Sequence, residues 1–124
     1  MVPKILIVDD EEDFVELVKF RLAGLGCEFL EAHDGVHALT EARIGRPDLI
    51  LLDIMLPDLD GISICEILQR QPVTKKIPII FMSALSGNVT KRTVAIHATD
   101  FFTKPIDLAR LKTRVAGLLN LSPA

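Results

Sequence analysis

The sequence contains no tryptophan and no tyrosine, and only two of its 124 residues are cysteines. Without those aromatics, any platform for stacking nucleic-acid bases would have to come from its six phenylalanines. The net charge is −3 and no basic stripe occurs, which makes direct nucleic-acid binding a poor expectation. Cys27 and Cys65 fit no metal-binding spacing and lie in apolar segments, so both read as small buried hydrophobes in a reducing compartment. Apolar runs such as Ile5–Val8 and Leu49–Leu52 are short, far below the roughly 18 residues of a membrane span. No signal peptide opens the sequence, and the expectation is a cytoplasmic protein without membrane association.

What is present is alternation. Residues 4–8 form a continuous apolar run typical of a buried strand, and residues 11–25 carry a helical face of Phe14, Leu17, Val18, Leu22 and Leu25. A second strand is expected over 27–32. A helix after Asp34-Gly35 follows, with Val36, Leu39 and Ala42, and it stops before Pro47. Residues 48–53 predict a third strand and 57–61 a loop. A helix with Ile64, Ile67 and Leu68 ends near Pro72, and a fourth strand is expected over 77–82. A helix over 86–98, a fifth strand over 99–103 and a final helix capped by Asp107 complete five strand–helix units. The final helix carries Leu108, Leu111, Val115, Leu118 and Leu119.

Strands that are apolar on both faces and separated by helices predict an α/β fold. Its five-stranded parallel sheet is doubly wound, with helices on both faces. The common order for such a sheet is 2-1-3-4-5, with ligands bound at the carboxyl ends of the strands where the order reverses. Residues 1–120 make one domain, and 121–124 a tail or the start of a linker.

That order brings specific polar residues together. Asp9 and Asp10 follow strand 1, Asp53 ends strand 3, Ser83 ends strand 4 and Lys104 follows strand 5. Each alone has an ordinary explanation. Acidic residues suit a helix N-terminus, and an aspartate at a strand end is commonly a turn residue. Jointly, at the ends of four strands on one sheet edge, they point to chemistry. Two carboxylates about 5 Å apart repel by roughly 3 kcal/mol at an effective dielectric of about 20. Three against one lysine leave a local charge of about −2, which a hard divalent cation such as Mg²⁺ neutralises. A metal, a lysine and a hydroxyl around a carboxylate suit phosphoryl transfer to that carboxylate.

The sequence resembles the receiver domain of response regulators, the CheY-like group of bacterial two-component systems, over essentially its whole length. The matching segments are Ile5-Leu6-Ile7-Val8-Asp9-Asp10-Glu11, Asp34-Gly35, Asp48 through Pro57, Asp58-Leu59-Asp60-Gly61, Ile77 through Ala84, and Asp100-Phe101-Phe102-Thr103-Lys104-Pro105. The resemblance implies a flavodoxin-like fold and Asp53 as phosphoacceptor. It implies Mg²⁺, or Mn²⁺ in its place, held by Asp10, Asp53 and the Met55 backbone carbonyl, with Asp9 acting through water. Lys104 would pair with the phosphoryl group across a peptide to Pro105 that is typically cis. Ser83 would be the switch hydroxyl and Phe101 the switch aromatic, and small Ala84 would leave room for the phosphate. Pro57 and Gly61 would shape the loop after the acceptor.

The implied partners are a sensor histidine kinase or a histidine phosphotransfer protein, and an output domain or effector of unknown kind. A dimer surface in relatives is formed by the fourth helix, fifth strand and fifth helix. The expected product is a switch, not an enzyme acting on a free substrate. Phe101 lacks the hydroxyl of the tyrosine that many relatives carry, so its switching rests on packing. His97 stands where the family usually has glycine. His33, His37 and His97 otherwise read as surface polar residues. Met55 and Leu85 occupy positions that tune water access to the aspartyl phosphate. Both are apolar, and a comparatively long-lived phosphoryl group is expected; an unchanged hydrolysis rate in Leu85→Asn would refute this.

Rival readings meet specific obstacles. An aspartate-nucleophile phosphatase of the haloacid dehalogenase type usually carries a second aspartate two residues after its nucleophile, and Met55 stands there. A flavin mononucleotide binder of the same fold needs a Ser/Thr/Gly-rich phosphate loop after strand 1. Here residues 9–13 are all acidic. A degenerate receiver acting as an unphosphorylated binding module would have lost Asp53 or Lys104.

Overall fold

The computed structural model describes residues 2–84 and 98–122. Its strands are β1 (Lys4–Val8), β2 (Glu28–Ala32), β3 (Leu49–Asp53), β4 (Ile79–Ser83) and β5 (Asp100–Thr103). They form one parallel sheet in the order β2-β1-β3-β4-β5, as expected. Helices α1 (Glu12–Leu22), α2 (Gly35–Gly45), α3 (Gly61–Gln69) and α4 (Leu108–Leu119) connect or follow the strands, and a 3₁₀ turn (Ala23–Leu25) closes α1. The expected helix over 86–98, with Leu85 and His97, lies outside the described residues.

The period-2 geometry of strands divides the core into two layers. Ile5, Ile7, Leu49, Leu51, Ile80, Met82 and Phe102 face one side and pack with Val15, Val18 and Leu22 of α1 and Leu111 and Val115 of α4. Leu6, Val8, Ile50, Leu52, Ile79 and Phe81 face the other and pack with Ala38 and Ala42 of α2 and Ile64, Cys65 and Leu68 of α3. Every residue of β3 and β4 is buried, which explains their lack of polar alternation. Cys65 is buried among these residues, and burial pushes its thiol up to about 11, while Cys27 is half-buried.

One helical-face assignment, that of Leu17, needs correction, and two further apolar helix residues are exposed. Leu17, Val36 and Ile67 are exposed, and the inward positions are Val15, Ala38 and Cys65. The inward residues recur at helical spacing, Val15, Val18 and Leu22 on α1 and Ile64, Cys65 and Leu68 on α3, so position on the helix and not side-chain size decides burial. The helix ends agree better with expectation. Asp34, Asp60 and Asp107 each accept a hydrogen bond from the backbone N–H three residues on, capping α2, α3 and α4.

Candidate functional site

The parallel registers carry the polar residues at or just past the ends of β1, β3, β4 and β5 to one edge. Val8 pairs with Leu52, Asp53 with Met82, and Ser83 with Thr103. Asp9 therefore emerges beside Asp53, and Lys104 beside Ser83. The Lys104 N–H donates to the Ser83 carbonyl at 2.8 Å, extending the ladder one residue past β5. The peptide between Lys104 and Pro105 is cis.

Asp9 and Asp53 are buried and Asp10 is exposed, with one carboxylate oxygen from each lying within 4.8 Å of the others. The Lys104 ammonium contacts Asp9 Oδ2 at 2.8 Å, Glu11 Oε1 at 3.1 Å and Asp53 Oδ2 at 3.3 Å. It also lies 4.6 Å from the centroid of the Phe14 ring. The remaining oxygens are oriented by the main chain. Met55 N–H donates to Asp53 Oδ1 at 3.0 Å, and Glu11 N–H to Asp9 Oδ1 at 2.9 Å. Ser83 is fully buried and Ala84 exposed at the end of β4. Phe101 is half-buried against the α2–α3 layer, and Pro105 is exposed.

Three carboxylates contact one ammonium here, and Asp10 adds a fourth negative charge beside Asp9 and Asp53. Burial holds the Asp53 carboxyl above its ordinary value, partly offset by the Met55 N–H and by Lys104, while Asp9 adds to the rise. Burial alone would lower the Lys104 pKa, but the hydrogen bond to Asp9 and the charge of Asp53 outweigh it, and the net shift is upward. The donor set is all oxygen and carries excess negative charge. Those are the requirements of a hard divalent cation, and Asp9, Asp10 and Asp53 fit one.

The sign of the Asp53 shift makes a stability prediction. An acid whose folded pKa is raised binds protons more readily folded than unfolded, so ionising it costs folding free energy. The cost is absent below the ordinary value of 3.8 and complete above the raised one. Metal-free Asp53→Asn should therefore unfold at a higher temperature than the parent at pH 7. The gap should close as pH falls toward 3.8 in thermal melts with EDTA.

Residues 5–116 match the response regulator receiver domain family. The chain belongs to that family. This receiver domain is 39% identical over 120 residues to the alkaline phosphatase synthesis transcriptional regulatory protein PhoP of Bacillus subtilis, covering 96% of its own length and 49% of that regulator's. It thus spans about half the length of that relative. Among solved structures, the receiver domain of the Francisella response regulator 1452 superposes with a TM-score of 0.86 at 33% identity, over 95% of this chain and 97% of that one. The chemotaxis response regulator CheY4 of Vibrio cholerae gives 0.86 at 27% identity, over 95% and 99%. Receiver domains generally bind Mg²⁺, in keeping with the acidic cluster. Among the described residues, no helix is long and apolar enough to cross a membrane.

The structure brings together Asp9, Asp10, Asp53 and Lys104, and places Ser83 and Met55 next to them in the chain or ladder. Four participants were not legible as such. Glu11 lies in a matching segment without an assigned role and Phe14 on the expected apolar face of the first helix, yet both contact Lys104. His33, expected as a surface polar residue, has its Nδ1 2.9 Å from the Asp9 carbonyl oxygen. Asp58, part of the motif loop, accepts backbone N–H groups from α2 across 22 and 23 residues of chain. Glu11 and Asp58 belong to the matching segments, whereas the only sequence signal for Phe14 and His33 is proximity to such a segment.

Proposed function

We propose that this receiver accepts a phosphoryl group on Asp53 from the phosphohistidine of a sensor histidine kinase or a histidine phosphotransfer protein. The observation that carries the reading is a buried carboxylate with an ammonium 3.3 Å away and two further carboxylates within metal-sharing distance. An Asp53 oxygen forms the new P–O bond as the P–N bond to the donor imidazole breaks, and the imidazole leaves with the bonding pair and takes a proton. Lys104 supplies positive charge to the phosphoryl oxygens, and Ser83 and the backbone around small Ala84 supply further donors. Asp10, Asp53 and the Met55 carbonyl would hold Mg²⁺, with Asp9 contributing through water, and the ion would supply positive charge beside the acceptor carboxylate. The same carboxylates that bind the metal repel a phosphoryl group without it, so transfer depends on both.

Engagement of Ser83 by the phosphoryl group frees space beside β4 into which Phe101 turns, changing the surface around β5 and its flanking helices. That surface addresses an output domain or effector and is also the face through which a homodimer would form. The protein assists its own phosphorylation and dephosphorylation and turns over no free substrate. A cytoplasmic setting, where such donors are charged, belongs to the same reading.

Intact mass after incubation with Mg²⁺ and acetyl phosphate tests it. One phosphoryl group should be gained, and none in Asp53→Ala or in EDTA. Beryllofluoride should bind under the same conditions. No modification under any condition would leave an unphosphorylated binding module as the better reading.

A further inference from the structure

We infer that the corner between β2 and α2, residues 33–36, braces the two acid-bearing loops against each other, with His33 and Asp58 as positioning residues for the metal site. This rests on the proposed metal-dependent chemistry of Asp53.

The β1–β3 ladder pairs residues only as far as Val8 and Leu52. Asp10 and Met55 lie beyond it and are exposed, so the ladder alone does not fix their separation. The corner touches both loops. On one side His33 Nδ1 meets the Asp9 carbonyl oxygen at 2.9 Å. A carbonyl only accepts, so the ring donates from Nδ1. On the other side Asp58 Oδ1 accepts the Gly35 N–H at 2.6 Å and Oδ2 the Val36 N–H at 3.1 Å.

Asp58 is not a redundant helix cap. Asp34 already caps α2 through the His37 N–H at 2.8 Å, which leaves the Gly35 and Val36 donors for a carboxylate from elsewhere. Those donors hold the Asp58 carboxyl below its ordinary range, the Gly35 N–H contributing most. Gly35 permits the contact, since a Cβ there would stand 2.7 Å from the Leu59 Cβ. The corner contributes no carboxylate to the acidic cluster identified among the described residues. Its contribution is therefore geometric, of the kind that outer partners of metal ligands supply.

Manganese binding is the test, read from the paramagnetic resonance signal of free Mn²⁺. Urea denaturation in EDTA and intact-mass phosphorylation of the parent protein serve as controls. His33→Leu and Asp58→Ala should each weaken Mn²⁺ binding about 10-fold, the scale of outer-partner effects. His33→Asn should restore most of the loss, because its amide nitrogen stands where Nδ1 does. The double variant should lose less than the product of the two, since either change alone releases the corner. Mg²⁺ should also slow exchange of the Gly35 and Val36 amides in the parent.

Binding within twofold of the parent in both single variants, with the parent still phosphorylated, overturns the brace and leaves the proposed function standing. So does a His33→Asn variant as weak as His33→Leu. If His33→Leu or Asp58→Ala fails to fold, His33→Ala and Asp58→Asn, each expected to weaken Mn²⁺ binding likewise, carry the comparison. A parent that neither binds Mn²⁺ nor takes up phosphoryl overturns both readings.

Discussion

Lys104→Met should destabilise the metal-free protein by about 3 kcal/mol and slow phosphorylation of Asp53 by about two orders of magnitude. The stability loss follows from what the ammonium leaves behind. Asp9 is fully buried and the Asp53 side chain is 6% exposed. Removing their shared cation strands two close carboxylates with little water to solvate them. The lower end of the usual cost for breaking a buried pair applies, because the site opens to solvent at Asp10 and because Glu11 is too exposed to matter. The rate loss follows from removing a donor aimed at the transferring oxygens.

Two controls separate this charge effect from a packing effect. First, the lysine's folded pKa is raised above 10.5, so its contribution is fully present below that value and lost as pH rises through the raised one. The difference between parent and variant in urea denaturation should be flat from about pH 7 to 10 and narrow above. Second, a more negative cluster binds a cation more tightly. Added Mg²⁺ should therefore raise the variant's stability more than the parent's. A loss insensitive to both pH and Mg²⁺ would mean that the fit of the side chain in the site matters more than its charge.

The legibility of this site in the sequence was uneven for physical reasons. The sheet order and the convergence of Asp9, Asp53, Ser83 and Lys104 were readable because a parallel βα alternation has few topologies and β1, β3, β4 and β5 each end on or run straight into one of these polar residues. Which helical residue turns inward was less readable. Val15 and not Leu17, and Cys65 and not Ile67, turn inward, because apolar residues stand on both faces of these helices and composition alone does not fix the rotation. The cross-loop contacts of His33 and Asp58 were not readable at all. They link residues 24 and 22–23 positions apart through backbone groups, and backbone groups leave no residue-type signature.

Gly61 and Gly117 should respond oppositely to the same substitution. A Cβ at Gly61 would stand 2.6 Å from the Asp53 carbonyl oxygen and 2.8 Å from the Ile54 Cα. Both are backbone atoms and cannot rotate away. Gly61 is buried at the start of α3, and its N–H donates to the Ile54 carbonyl at 2.8 Å, so the helix is fastened to the strand end at this point. Alanine there must push α3 off β3, at a cost of about 2 kcal/mol even after its better helix propensity. Valine, branched at Cβ, should cost more.

At Gly117, inside α4 and exposed, an added Cβ meets nothing within 4 Å. Alanine there should gain about 0.5–1 kcal/mol from reduced backbone entropy in the unfolded chain. Urea midpoints of the two variants against the parent decide the matter. Phosphorylation adds a second readout. The displaced atoms at Gly61 include the main chain of the acceptor itself, so Gly61→Ala should slow acetyl phosphate uptake even where the protein is fully folded, and Gly117→Ala should not. Equal rates in the two folded variants would mean that the close approach of α3 serves packing alone and that the acceptor tolerates a shift of its own backbone.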